Sequence, residues 1–302
     1  MNEQKRAYLE LHVAVALWGF TAILGKLIQL DAIVLVWWRT MLTCLVFLAA
    51  SRVWAEVRQL PRSVVVNFLA IGVLLMLHWL CFYGSIKLAN ASVAVVCVGI
   101  VAVFSAFLEP LLNRSPFKWH EIALSGVIVL GIWLVAKEIE KMNPSALATG
   151  QNFTLGFWLG ILGSFFVAFV SVFNKRMVEK ASPFAMSFLE MAGGWLSLSV
   201  ALPIFMLFFP ATKVLPSAMD WVYLPFFVIF CTNIAQVLCF RALKHVSAFA
   251  ANLTINLEPL YGIIFAVIFL KENQQLTPMF YLGAAIVILS VVSYPFLKKR
   301  FE

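Results

Sequence analysis

Ten apolar runs of about 20 residues, each the length a helix needs to cross a bilayer, follow one another with only short polar breaks. They lie near 8–28, 33–53, 64–86, 91–112, 119–137, 154–175, 184–209, 220–243, 248–270 and 277–297. Lipid offers no partner to a backbone N–H or C=O, so a spanning segment must be a helix or part of a closed barrel. The runs lack the lipid-out, polar-in alternation of barrel strands. The expected fold class is therefore an all-α integral membrane protein of ten transmembrane helices. Composition agrees. Hydrophobic residues make up 63% of the chain and charged ones 12%, half the roughly one quarter that a soluble domain carries.

The net charge of +8 would indicate nucleic acid in a soluble protein. Here the basic residues cluster between apolar runs, so no nucleic-acid partner is expected. With the amino terminus inside, the inner connections hold Lys5, Arg6, Arg52, Arg58, Arg62, Arg114, Lys118, Lys175, Arg176, Lys180, Arg241, Lys244, Lys298, Lys299 and Arg300. The outer ones hold Lys87, Lys137, Lys141, Lys213 and Lys271. This bias places both termini in the cytoplasm. The first run has no small-residue cleavage site and reads as a span, not a signal peptide. Cys44, Cys81, Cys97, Cys231 and Cys239 sit inside apolar runs without zinc or redox spacing, so neither a disulfide framework nor a metal site nor a cofactor is implied.

The connection from Glu138 to Phe153 is the longest and contains Asn143-Pro144-Ser145. It divides the chain into a first half (1–140), a linker (141–153) and a second half (154–302) of five helices each. Sliding the chain by 157 positions lays Lys87 on Lys244, Ala91 on Ala248, Ala94 on Ala251 and Gly126 on Gly283 without a gap. Five is odd, so a duplicated half enters the membrane the opposite way round, which is the inverted-repeat plan of secondary transporters.

The chain resembles the drug/metabolite transporter superfamily in its EamA-like branch. The resemblance is carried by Leu17-Trp18-Gly19-Phe20 with Lys26, Trp38-Arg39, and Ala242 through Ala248. Leu257-Glu258-Pro259 and Leu270-Lys271-Glu272 followed by Gly283 are its most specific elements. The first half departs from the pattern: Ala102 stands where a proline is usual and Ser115 where a closing glutamate is usual. Its Glu109-Pro110 lies eight positions out of register with Glu258-Pro259. The resemblance implies a secondary transporter, often an exporter of amino acids or other small metabolites.

Charged and amide side chains within apolar runs are the candidate site residues, because each is costly in lipid. Glu258 and Glu190 are expected to bind substrate or carry protons, or else to pair with a basic residue; Pro259 beside Glu258 also admits a bend. Glu190 precedes Gly193-Gly194, a pair that permits close helix approach. Arg39 either snorkels or holds a substrate carboxylate as a planar fork. His78 can relay protons. Trp79 and Tyr83, one turn apart, and Trp18 supply aromatic walls. Asn233 and Gln236, three apart, are expected on one face, and Asn252 and Asn256 near the cavity. His120, Glu121 and Glu272 lie near loops and are expected in solvent, and Gly156, Gly160 and Gly163 are expected at a helix contact.

The function expected from these features is secondary transport of a small polar, amino-acid-like metabolite by alternating access, as an exporter in a bacterial inner membrane. Its partners are the solute, protons and membrane lipids, in a monomer or homodimer. No phosphate-binding loop exists for ATP. A channel or lipid scramblase on the same fold is the alternative. An intramembrane enzyme is weaker, since the four histidines are scattered and Asp31 and Asp220 sit at helix ends.

Overall fold

The computed structural model describes residues 3–301 apart from 50, 115, 148–150, 243–244, 246–253, 255–256 and 275. Among the described residues there is no strand. The helices are α1 (Glu3–Leu27), α2 (Ala32–Leu48), α3 (Ser51–Val57), α4 (Arg62–Leu88), α5 (Ala91–Val98), α6 (Val101–Asn113) and α7 (Trp119–Leu147). They continue with α8 (Phe153–Met177), α9 (Pro183–Phe208), α10 (Asp220–Val228), a π-helical segment (Ile229–Ile234), α11 (Ala235–Ala242), α12 (Glu258–Leu270) and α13 (Pro278–Phe301). Among the described residues, seven continuous or nearly continuous stretches are long and apolar enough to cross a membrane, and three shorter apolar helices accompany them: Ala32–Leu48, Glu258–Leu270 and Pro278–Ser290.

Several boundaries differ from the sequence expectation. The second run ends at Leu48, and its tail forms the separate α3. The fifth helix continues to Leu147 through the proposed linker. Lys141 there pairs with Glu138, which also accepts from Thr277 at 2.8 Å, so the continuation is tied to α13's start. The fourth run is broken at Gly99–Ile100, where α13 comes so close that a Cβ on Gly99 would lie 2.2 Å from Val287. Of the helix expected over 248–270, most of the stretch before Leu257 lies outside the described residues, and α12 carries Pro259 in its first turn, where its missing N–H costs nothing.

Helix starts follow local chemistry. Asn90 Oδ1 accepts from Val93 N, Asn152 Oδ1 from Leu155 N, and Ser182 Oγ from Ala185 N ahead of Pro183, each satisfying a donor the helix itself leaves open. Glycine sets the closest contacts. A Cβ on Gly72 would lie 2.0 Å from the Glu190 carbonyl, and one on Gly193 2.2 Å from the Leu69 carbonyl, so α4 and α9 cross backbone to backbone. On α8, Gly156, Gly160 and Gly163 admit Ala89, Cys97 and Cys81 to near contact. Such small-residue seams supply the packing that hydrophobicity cannot drive within lipid.

Candidate functional site

Arg39 projects from α2 into the protein and is 2% exposed. Its guanidinium carbon lies 3.6 Å from the ring centre of Trp79 and 4.3 Å from that of Phe227, so two aromatic rings pack against the group. Nε donates to Thr232 Oγ1 at 2.9 Å and Nη1 donates to Tyr83 Oη at 2.6 Å. No ion pair to Arg39 forms among the described residues.

Thr232 reaches Arg39 from the π-helical segment. In that wide turn Thr232 Oγ1 donates to Phe227 O at 3.1 Å and Asn233 Nδ2 to Val228 O at 2.9 Å, each five residues back. Segments of this kind concentrate at functional sites because they redirect side chains that a regular helix would aim elsewhere.

Glu190 on α9 is fully buried, and among the described residues neither carboxylate oxygen has a hydrogen-bond partner. Asn174 of α8 stands beside it without good hydrogen-bond geometry, its own Oδ1 also unpartnered. A bare carboxylate is costly away from water. At the wall of a cavity it is suited to holding a proton or meeting a cationic group. His78 Nδ1 lies 2.9 Å from Gly163 O. A carbonyl only accepts, so Nδ1 carries a proton and Nε2 is left for other partners.

These groups share one cavity of about 470 Å³. It is lined by Trp18, Arg39, His78, Trp79, Tyr83, Glu190, Gln236 and Glu258 among the residues singled out from sequence, and also by Thr21, Val101, Asn174 and Thr232. It reaches Glu109, Glu121 and Lys175; Glu109 and Lys175 pair with each other, and their side chains are 40% and 53% exposed. Beyond Arg39 the opposite end is crossed by polar contacts. Lys87 Nζ donates to Ile28 O, Asp220 Oδ1 accepts from Gln29 N at 2.8 Å, and Trp38 Nε1 donates to Val214 O at 2.7 Å. Glu272, expected in solvent, is instead 2% exposed and accepts from Ala91 N, Ser92 N and Ser92 Oγ at 3.0, 2.8 and 2.6 Å. The start of an apolar helix leaves N–H groups open, and a carboxylate is their strongest acceptor.

Asn233 does not line the cavity. It is buried with its amide turned onto its own helix, because the π segment removes it from the face of Gln236. Asn252 and Asn256 lie outside the described residues. Thr232 and Asn174 were not singled out from sequence. Thr232 stands four residues before Gln236, a shared-face spacing, but the adjacent amide draws attention from a hydroxyl. Asn174 sits next to the basic pair Lys175-Arg176, where a polar residue reads as part of a helix end.

Comparison with curated proteins finds no match. Among solved structures 21 chains match. One, described only as the crystal structure of a protein, superposes with a TM-score of 0.64 over 98% of both chains at 15% identity, a likeness of fold. The EamA-like transporter family matches twice, over residues 5–137 and 154–294. The two matches take in nearly the whole chain and every described element that lines the cavity. The chain is a multi-pass membrane protein belonging to the EamA-like transporter family.

Proposed function

We propose that this protein is a secondary carrier that moves a small polar metabolite across a bacterial inner membrane by alternating access. The carrying observation is the placement of Arg39, Glu190 and Glu258 around one cavity deep among apolar helices, since intramembrane charges mark solute and proton pathways. The protein has ten spans in two inverted halves, divided near 141–153, with both termini in the cytoplasm. On that orientation the Glu109 and Lys175 end is the cytoplasmic mouth, and the contacts around Asp220, Trp38 and Lys87 close the outer end. Glu190 and Glu258 are the proton-coupling groups, with His78 as a relay, and export is the working direction. A cavity with one open mouth and polar contacts across its other end fits a carrier better than a continuous pore. The protein works as a monomer or homodimer.

The test is an untargeted metabolite profile of medium and cytoplasm from overproducing cells, against the Arg39→Ala plus Glu258→Gln variant at equal membrane abundance. A solute enriched outside only with the intact protein establishes export and names its substrate. In sealed vesicles, counterflow of that solute at saturable rate excludes a pore. A flat profile together with no counterflow for any cellular metabolite pool sinks the carrier reading.

A further inference from the structure

Arg39 is held in a way that leaves part of it unused. A guanidinium has five N–H donors. Nε is taken by Thr232 and one donor of Nη1 by Tyr83. The other three, one on Nη1 and both on Nη2, meet no acceptor among the described residues, although the side chain is 2% exposed and lines the cavity. Donors so deeply placed are worth more when filled than at a surface, and leaving them empty is costly.

We infer that Arg39 is the docking point for a single planar carboxylate on the transported solute, and that Thr232 is a positioning residue that presents the free guanidinium edge to it. The proposal rests on the carrier reading and specifies the headgroup its substrate bears. Three observations carry it. Trp79 and Phe227 pack against the guanidinium carbon, and the donors left open lie on the terminal nitrogens, where a carboxylate meets two donors at once. Glu190 and Glu258 line the same cavity, and its other cation, Lys175, sits at the mouth in a pair with Glu109. A dianion therefore finds no second lysine or arginine beside Arg39 among the described residues.

Thr232 acts on the solute only through Arg39. Its hydroxyl donates backward to Phe227 O and so offers its lone pair to Arg39 Nε. The same turn carries a ring that packs against the guanidinium, since Phe227 lies one π turn before Thr232. Removing the hydroxyl frees Nε to compete for the solute and lets the group swing.

The experiment uses the full-length protein in lipid nanodiscs, without a gradient, and three probes of one skeleton: 3-phenylpropanoate, 3-phenylpropanamide and 2-phenylethylphosphonate. Affinities are read by calorimetric titration. The carboxylate is expected to bind at least about 10-fold more tightly than the amide or the phosphonate, the size of one charge-assisted hydrogen bond. Thr232→Val collapses the carboxylate-to-amide ratio about 10-fold, and Thr232→Ser restores it. Arg39→Lys, which keeps the charge and loses the fork, also collapses it. Melting profiles identify any variant that fails to fold, in which case the Arg39→Lys ratio decides. Equal affinity for carboxylate and amide, tighter phosphonate, no binding by any probe, or a ratio unmoved by both Thr232→Val and Arg39→Lys overturns the proposal. Because no gradient is involved, such a failure leaves transport itself to the counterflow assay.

Discussion

Glu190 and Arg39 are both deeply buried charges, yet they are held in opposite ways. Arg39 is braced by two hydrogen bonds and two rings, whereas Glu190 has no hydrogen bond at either oxygen among the described residues. A residue kept for stability would be expected to have partners, since an unsatisfied buried group costs about 1–3 kcal/mol. Glu190→Gln is therefore expected to melt no lower than the parent, as it replaces an unpartnered carboxyl group in an apolar wall and offers an amide N–H to Asn174 Oδ1. It is expected to abolish uphill accumulation in vesicles while leaving exchange intact. A variant that still accumulates solute against its gradient removes Glu190 from coupling. Glu258 and Arg39 were visible in the chain as charges inside apolar runs. That Arg39 has Thr232 and Tyr83 as partners was not visible, because they lie 193 and 44 positions away.

At the scale of elements, two helix starts are held by an acid from elsewhere in the chain. Glu272 holds the start of α5. Glu56 accepts from Ser182 N and Oγ, at 2.8 and 2.5 Å, at the start of α9. Each uses the open N–H groups and positive end of a helix. The Glu272 clamp is the more buried, and Glu272→Ala leaves two backbone donors and a hydroxyl without acceptor. It is expected to cost about 2–4 kcal/mol, by the magnitude of hydrogen bonds to buried charge. Ser92→Ala, which removes one contact and leaves the backbone bonds, should cost about 1 kcal/mol. Thermal melting of the purified variants checks both, and equal melting of Glu272→Ala and parent refutes the clamp. The closing Leu270-Lys271-Glu272 element was readable as a motif, but its target in α5 was not, since 180 residues separate Glu272 from Ser92.

Across the whole molecule, the 157-residue offset read from the chain recurs in its backbone. Val101–Asn113 and Glu258–Leu270 are both 13 residues long and lie at that offset. Each ends in a left-handed residue, Arg114 and Lys271, both at φ 53° and the only non-glycine residues with positive φ among those described. Val101 in the first half holds the position of Glu258 in the second, and both line the cavity. If the halves are inverted copies, the acid is what distinguishes them at the solute site. The orientation proposed above predicts that a membrane-impermeant amine reagent modifies Lys175 in inside-out vesicles and not in intact cells. Modification in the opposite arrangement reverses the assigned mouth. The sequence by itself determined the membrane class, the helical architecture and the charges worth following, because lipid penalises unpaired backbone and bare charge at every position. Helix breaks at Gly99 and the π turn at Ile229–Ile234 depended on what packs against them, and so did the choice of Thr232 over Asn233. Only the tertiary structure, by bringing together residues more than a hundred positions apart, decided which buried charge is braced and which is left bare.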